Sequence, residues 1–284
     1  MSTGIGIGIA GNVFQTRAGL ASGGGGASLL LDQYGADIAA AYSVRKLRNA
    51  YSGSAFRVRR DSDNSEQDIG FDSNGNLDES ALTAFVGANN GYIVKWYDQT
   101  TNGNNATQTA ASRQLRVVSS GTIDKLGTKV APVSNVVRVF YIPDITIAVT
   151  PPQTSIAVIK SSQTSGTSHF ISENLATGTY RFSGHDDFLS LHGGSAISAS
   201  GISQAHMVAV GLCNGASSYI RANGSEVTTG NTSGNNYSIN RVFGDNATNN
   251  FKGNMQEILI YTADKSTDIA AIETDINTYY SIYP

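Results

Sequence analysis

The sequence predicts an all-β protein built as a β-sandwich, with a few short helices. Beyond residue 115, short apolar runs alternate with clusters of Ser, Thr, Gly and Asn, which is the spacing of sandwich strands. The chain of 284 residues has 31 glycines and only 5 prolines, which favours many tight turns over stiff linkers. Asn223-Gly224, the strongest short hairpin signal, follows an apolar run and predicts antiparallel pairing.

Strands are predicted where β-branched and aromatic residues form short runs bounded by turn residues. These runs occupy residues 55–60, 92–96, 130–133, 136–142, 145–149, 155–159, 206–212, 218–222 and 251–261. In the first run, Phe56 and Val58 alternate with Arg57 and Arg59, which indicates a half-buried strand. Pro132 has no backbone N–H, so the run that contains it is an edge strand or a strand end.

Three helices are predicted from apolar residues three or four positions apart. The first spans residues 36–51 and carries Ile38, Tyr42, Val44, Leu47 and Tyr51 on its apolar side. The second is short and spans residues 79–86. The third follows a capping Ser266 and packs on the sandwich through an apolar stripe of Ile269, Ile272, Ile276 and either Tyr279 or Tyr280.

Composition excludes several classes of function. The net charge of −3 and pI near 5.8 provide no chain-wide basic field, so binding to nucleic acid is not expected. Hydrophobic runs are all interrupted before about 18 residues, so no membrane span is predicted. Cys213 is the single cysteine, which excludes intramolecular disulfides and indicates a small buried hydrophobic residue.

Residues 1–28 differ in composition from the rest and predict a glycine-rich arm, followed by one sandwich domain at 29–284. Ile5, Ile7 and Ile9 would share one face of an extended segment. Without a partner face in the arm itself, such a strand needs another chain to cover it. The predicted anchoring residues are Ile5, Ile7, Ile9, Val13 and Phe14. The alternative is a disordered tail hinged at residues 23–26.

Three segments carry a family resemblance: AYSVRKLRNAYSGSAFRVRRDSDNSEQDIGF, GYIVKWYDQTTNGNNATQ and RVFGDNATNNFKGNMQEILIYT. Over roughly residues 35–284 the chain resembles the α-L-arabinofuranosidase B catalytic domain. Similar segments occur in bacteriophage virion proteins, where a start like TGIGIGIAG precedes a concanavalin A-like (laminin G-like) domain. The resemblance implies a concanavalin A-like jelly-roll β-sandwich.

The resemblance also implies a catalytic pair. In that glycosidase family a glutamate is the nucleophile and an aspartate in a GDN motif is the general acid and base, and Gly244-Asp245-Asn246 matches this motif. Asp186, Asp187 and Glu173 are the candidate partners of Asp245. The paired cysteines of the family's substrate pocket have no counterpart in a chain with one cysteine. The alternative for GDNATNN is a hairpin loop that bonds its own backbone.

Aromatic and polar residues next to each other suggest a shallow glycan site. Trp96 and Tyr97 would stack on a sugar while Asp98 and Gln99 bond its hydroxyls. The simpler interpretation of Trp96, from its place in a strand, is a core residue. The predicted glycan-binding set is Trp96, Tyr97, Asp98, Asp245 and Asn246.

Other charged clusters are weaker candidates, and no metal or cofactor is predicted. His185, Asp186, Asp187 and His192 combine imidazoles with carboxylates but have no spacing that fixes a metal site. FDSNGNLDES, with Asp72, Asn74, Asn76 and Asp78, lacks the spacing of a calcium loop and indicates a polar turn. A basic cluster is formed by Arg45, Lys46, Arg48, Arg57, Arg59 and Arg60. It is interpreted as a solvated face paired with Asp61, Asp63 and Glu66, or as a surface that docks on an acidic subunit.

The arm, the virion-like segments and the lack of a motif for the second carboxylate together predict a bacteriophage virion structural protein rather than an enzyme. It would be a capsid decoration, fibre or tail component present as a homo-oligomer or in many copies. Its expected partners are other virion proteins, bound through residues 1–28, and host-surface glycans. Its expected location is the virion, assembled in the host cytoplasm. The alternatives are an arabinofuranosidase-like glycoside hydrolase that uses Asp245 and a free glycan-binding lectin.

Overall fold

The computed structural model describes residues 28–134, 140–141, 147–164, 168–173, 180–185, 187–203, 205–244 and 250–284. Within them lie short helices and many antiparallel strands arranged as a β-sandwich, which confirms the predicted fold class. The predicted arm and its anchoring residues lie outside the described residues, apart from Ser28. The described residues contain no helix long and apolar enough to cross a membrane.

The described elements are, in chain order, α1 Leu30–Tyr34, β1 Ile38–Ser43, β2 Phe56–Arg60, β3 Glu66–Ile69, α2 Glu79–Val86, β4 Gly91–Trp96, β5 Ala106–Thr107, a 3-10 turn Ala111–Arg113, β6 Leu115–Ser119, β7 Thr122–Ile123, β8 Lys125–Leu126, β9 Lys129–Val130, β10 Val133–Ser134, β11 Phe140–Tyr141, β12 Ile147–Val149, β13 Gln153–Ser161, β14 His169–Ser172, β15 Tyr180–His185, β16 Phe188–Gly193, β17 Ala196–Ala199, β18 Met207–Cys213, β19 Ser218–Ala222, β20 Ser225–Gly230, β21 Tyr237–Ile239, β22 Arg241–Val242, β23 Gly253–Tyr261 and α3 Ile269–Tyr280.

One layer of the sandwich is an antiparallel sheet in the order β1-β23-β13-β18-β19-β20. Its centre is β13, where Ala157 pairs with Ala209 on one side and with Ile258 on the other. Helix α3 covers the outer face of this sheet. Its Tyr280 hydroxyl donates to Glu257 at 3.0 Å, and Arg221 forms an ion pair with Glu273 at 2.8 Å.

The second layer runs in the order β3-β2-β4-β5-β11-β22-β14-β15-β16-β17. Strand β10 pairs with both β6 and β23 and so joins the two layers at one edge. The adjacency of β22 and β14 in the middle of this sheet positions the candidate site described below.

The core lies between the two layers. Gly211 of β18 approaches β16 so closely that an added Cβ would lie 2.9 Å from the Leu191 side chain. The Tyr180 hydroxyl of β15 donates to Ser155 Oγ of β13 at 2.8 Å across the interior. The Phe170 and Phe251 rings meet edge to face at 5.7 Å. These contacts show close packing between opposed faces.

The predicted helix over residues 36–51 is wrong. Residues Ile38–Ser43 form β1, which pairs with β23, and the chain beyond it is irregular. Ala40, Ala41 and Tyr42 are all fully buried. Because β1 is covered on both faces, its apolar residues are consecutive rather than alternating, and this produced the helix-like spacing.

The other two predicted helices are confirmed. Helix α2 matches its predicted bounds and begins at Asp78, whose carboxylate accepts from the Ala81 amide at 2.9 Å. Helix α3 buries Ile269, Ile272, Ile276 and Tyr280, as the apolar stripe predicted. Its start differs: the helix begins after Asp268, and Ser266 bonds to Asp264 instead of capping it.

Most predicted strands are confirmed within one or two residues at each end. The run 130–133 is divided into β9 and β10, because Pro132 interrupts the pairing. Most of the run 136–142 lies outside the described residues. Strands β14 to β17 were not predicted, since their segments mix Ser, Gly and His with apolar residues.

The β19–β20 hairpin turns through Asn223 and Gly224 with φ of 48° and 78°, the pair of positive values that a type I′ turn requires. Gly224→Ala is expected to lower the free energy of unfolding by about 1–2 kcal/mol, because the alanine Cβ disfavours a positive φ. Urea unfolding measures this loss. Gly234→Ala, in an exposed loop with nothing within 4 Å of the added Cβ, is the control and should be near neutral. Equal losses in the two variants would contradict the turn assignment.

Candidate active site

A buried carboxylate follows the end of β14. Glu173 is 9% exposed, and its backbone amide donates to the Tyr180 carbonyl at 3.0 Å. Glu173 lines a cavity of about 340 Å³ together with the ends of β12 and β21. The other lining residues are Ala148, Val149, Thr150, Asn236, Tyr237 and Ser238. A carboxylate at a strand end beside a cavity is a typical catalytic placement.

Strand β14, which ends directly before Glu173, also contacts the first residue of the GDN motif. Strands β14 and β22 are antiparallel, with Ile171 opposite Val242 and Ser172 opposite Arg241. The Ser172 hydroxyl donates to the Gly244 carbonyl at 2.8 Å. Gly244 is the residue before Asp245 in the chain, while Asp245 and Asn246 lie outside the described residues. The pairing therefore brings the described part of the motif to the strand that precedes Glu173.

The backbone at the entry to the motif is unusual. Phe243 has a φ of 70°, in the left-handed region that bulky residues rarely adopt. Its amide donates to the Phe170 carbonyl at 2.9 Å, and its fully buried ring packs against Trp96 and Phe251. Such strained residues persist where the surrounding structure fixes them, and they cluster at functional sites.

The remaining candidate partners of Asp245 are placed differently. Asp187 is exposed in the turn between β15 and β16, at the end of β15 remote from Glu173. The length of β15 separates the two positions, roughly 17 Å at about 3.3 Å per residue. Asp186 lies outside the described residues. Among the described candidates, only Glu173 directly follows a residue that bonds to Gly244.

The predicted glycan-stacking residue Trp96 lies in the core. Its side chain is fully buried, with ring centroids 5.3 Å from Phe56 and 6.0 Å from Phe243. An indole without an exposed face cannot stack on a sugar, so the core interpretation of Trp96 is the one that the structure supports.

Tyr97 and Asp98 also make structural contacts. The Tyr97 hydroxyl donates to Asp68 at 2.8 Å, and burial together with this bond raises the pKa of Tyr97 to about 12. Asp98 is 3% exposed and accepts from the Ala41 and Thr100 amides at 2.9 and 3.0 Å. Its carboxylate thereby ties β1 to the loop after β4.

The basic cluster does not form one face. Arg45 is buried and bonds to Glu257 at 2.8 Å, so its interpretation as a solvated residue is wrong. Arg60 pairs with Asp63 as expected, whereas Arg57 pairs with Asp68, its cross-strand neighbour. These separate pairings distribute the positive charge over the surface and the interior.

The remaining sequence candidates are structural. Asp72 accepts from the Asn74 and Asn76 amides at 2.9 and 2.8 Å, which forms the predicted polar turn. Cys213 is buried, and burial raises the pKa of its thiol to about 11. In the described part of the chain, no group of three or more His, Cys, Asp or Glu side chains is arranged to hold a metal ion.

Comparison with solved structures shows which known proteins share this fold. A GH54 α-L-arabinofuranosidase soaked with a cyclic sulfate inhibitor has a TM-score of 0.73 and 16% identity, covering 90% of this chain and 66% of that one. An arabinofuranosidase complexed with arabinofuranosyl-α-1,2-xylobiose has a TM-score of 0.73, 16% identity, and covers 90% of this chain and 65% of that one. At such identities the likeness shows the fold. The chain spans slightly less than two thirds of these solved structures.

The family follows from the sequence itself. A family model described as "Alpha-L-arabinofuranosidase B, catalytic" matches residues 31–241, about three quarters of the chain, and the chain belongs to this family. No curated protein matches the chain.

The prediction of a virion structural protein that is not an enzyme is wrong. The family match overturns it and supports the glycoside hydrolase alternative. The glycine-rich arm and the absence of a motif for the second carboxylate had favoured the virion interpretation. The second carboxylate has a described candidate in Glu173, at a position that strand pairing determines.

Proposed function

We propose that this protein is a glycoside hydrolase that removes α-L-arabinofuranosyl groups, with Glu173 as nucleophile and Asp245 as general acid and base. The observation that carries the proposal is the bond from Ser172, directly before Glu173, to Gly244, directly before Asp245. Glycoside hydrolysis requires a pair of carboxyl groups that flank the scissile bond.

The reaction has two steps. The Glu173 carboxylate attacks the anomeric carbon, Asp245 protonates the departing glycosidic oxygen, and a covalent glycosyl ester forms on Glu173. Asp245 then removes a proton from water as the water oxygen attacks the same carbon, which releases the sugar and restores Glu173. Each step inverts the anomeric carbon, so the product retains the α configuration.

Further support comes from the surroundings of the two positions. The cavity beside Glu173 provides room for a small furanose ring next to the carboxylate. The packing of the Phe243 ring against Trp96 and Phe251 holds the chain at its strained φ as it enters the motif. A substrate with arabinose side chains on xylan is suggested by the similar enzyme complexed with arabinofuranosyl-α-1,2-xylobiose.

The test is hydrolysis of 4-nitrophenyl α-L-arabinofuranoside, with 4-nitrophenyl β-D-xylopyranoside as the control substrate. We expect release of nitrophenol from the first substrate only, and proton NMR at early times should show α-arabinofuranose as the first product. Absence of turnover, or a β product at the earliest times, would count against the mechanism.

A further inference from the structure

A second recess lies on the sheet face opposite the core, across β14 to β17. Its volume is about 380 Å³, within the range of small-molecule sites. The lining residues are His169, Arg181, Ser183, His185, Phe188, Ser190, His192, Ala196 and Ser198. The alternate residues Phe182, Leu189 and Leu191 are buried on the core side. We call this surface the β14–β17 recess.

The charge of the recess is positive. Arg181 is permanently charged and donates to His192 Nδ1 at 3.3 Å, which leaves Nε2 of a neutral His192 as its N–H donor. His185 Nδ1 is buried and has no hydrogen-bond partner among the described residues. None of the described lining residues is acidic, and Asp187, in the turn beyond His185, is exposed. An anionic group is the ligand that these donors fit.

The neutral part of the lining suits a sugar ring. Ser183, Ser190 and Ser198 supply hydroxyls from three adjacent strands. The His185 ring stacks on Phe188 with a centroid distance of 5.3 Å and an interplanar angle of 26°. Hydroxyl groups beside a planar ring surface are the usual components of carbohydrate sites.

The recess adjoins the strand that precedes Glu173. Arg181 pairs directly with Ser172, the residue before Glu173, and His192 pairs with Arg181 on the next strand. Strands in a sheet lie about 4.8 Å apart, so the recess lies within about one strand spacing of the strand that precedes Glu173.

We propose that the β14–β17 recess binds the carboxylate-bearing sugar of an acidic polysaccharide, a uronic acid residue. Arg181 and the histidines bind the carboxylate, and the serines and the stacked His185–Phe188 pair hold the ring. The assignment of the polysaccharide as a substrate rests on the proposed hydrolase function, whereas the binding itself does not.

The test is calorimetric titration of trigalacturonic acid into the Glu173→Gln protein at pH 5.5, with the fully methyl-esterified trisaccharide as the uncharged control. We expect the acid to bind and the ester to bind at least about tenfold more weakly, since a charge-assisted contact is lost. Equal affinities for acid and ester, or no binding of the acid, would overturn the proposal.

Two further variants locate the binding. Arg181→Gln is expected to weaken binding of the acid at least about tenfold, whereas Arg113→Gln, on the turn before β6, leaves it unchanged. Ala196→Glu places a negative charge at an exposed position opposite His192 and is expected to weaken binding about fivefold or more. Ala196→Gln is its size-matched control. Thermal unfolding verifies that each variant is folded, and unchanged affinity in both Arg181→Gln and Ala196→Glu contradicts the assignment.

The pH dependence supplies an independent readout. Burial, and secondarily Arg181, lower the pKa of His192 below its usual value of 6.5. The other lining groups that titrate or carry charge are Arg181, His169 and His185, and the Cys213 thiol contacts the His192 carbonyl. A bound carboxylate favours the protonated imidazole, so affinity should rise from pH 7.5 to pH 5, and a fall would contradict the role of the histidines.

The experimental outcomes distinguish failure of the recess proposal from failure of the proposed hydrolase function. The titration uses a variant without turnover, so inactivity of the natural protein on arabinofuranosides leaves a positive binding result intact. Conversely, absence of uronide binding with normal arabinofuranoside hydrolysis overturns the recess proposal alone.

Discussion

Replacing Glu173 with glutamine is expected to lower kcat for 4-nitrophenyl α-L-arabinofuranoside at least about a thousandfold. The amide keeps the size and the hydrogen-bonding shape of the side chain but cannot form the glycosyl ester. The control is Asp187→Asn, at the exposed turn, which should retain full activity.

Azide distinguishes the nucleophile from the acid and base. With Glu173→Ala, added azide should restore turnover by direct displacement and give the β-arabinofuranosyl azide. With Asp245→Ala, azide should accept the glycosyl group from the ester on Glu173 and give the α product. Near-normal activity of Glu173→Gln, or the same azide anomer from both alanine variants, would remove Glu173 from the nucleophile role.

Much of the fold was predictable because the local signals agree with the tertiary structure. Asn223-Gly224 requires no context to form its turn, and the stripe from Ile269 to Tyr280 has one face to bury. The helix predicted for the segment that forms β1 was wrong for a physical reason. Because α3 and the core cover both faces of this strand, the period-two alternation of apolar and polar residues disappears.

The candidate site was predictable only in part. Asp245 stands in a short motif that sequence alone displays, whereas Glu173 was one of several carboxylates. Its selection depends on the pairing of β14 with β22, which are about seventy residues apart in the chain. One weak local signal was present, since Glu173 follows the two apolar residues Phe170 and Ile171 after a single serine.

The basic cluster is a second case in which the local sequence did not reveal a long-range contact. Six cations in sixteen residues indicate a charged surface, yet Arg45 enters the interior, because Glu257 of β23 and Asp275 of α3 lie there to receive it. No local pattern reveals partners more than two hundred residues away. The consequence for stability is the second large effect that we expect.

Arg45→Met is expected to lower the free energy of unfolding by about 3–5 kcal/mol. The guanidinium bonds both oxygens of Glu257, at 2.8 and 3.0 Å, and lies 5.0 Å from the Tyr279 ring centroid. The Glu257 side chain is only 1% exposed, so removal of Arg45 leaves its charge buried and without its main partner. Urea unfolding measures the loss, and an unchanged m-value would show that the variant unfolds from the same compact state.

Two comparisons determine whether burial of the ion pair is the reason for the stability loss in Arg45→Met. Arg57→Met removes an ion pair with the same two-bond geometry to Asp68, but both side chains are about 40% exposed, so the expected loss is below about 1 kcal/mol. Arg45→Met combined with Glu257→Leu removes both buried charges and should recover part of the stability lost in Arg45→Met alone. Because β1, β23 and α3 meet at this pair, such recovery would show that the cost of Arg45→Met comes from the stranded carboxylate rather than from lost packing. If Arg45→Met and Arg57→Met cost the same, the buried pair contributes no more than a surface pair, and the packing of α3 on the sandwich depends on its isoleucines instead.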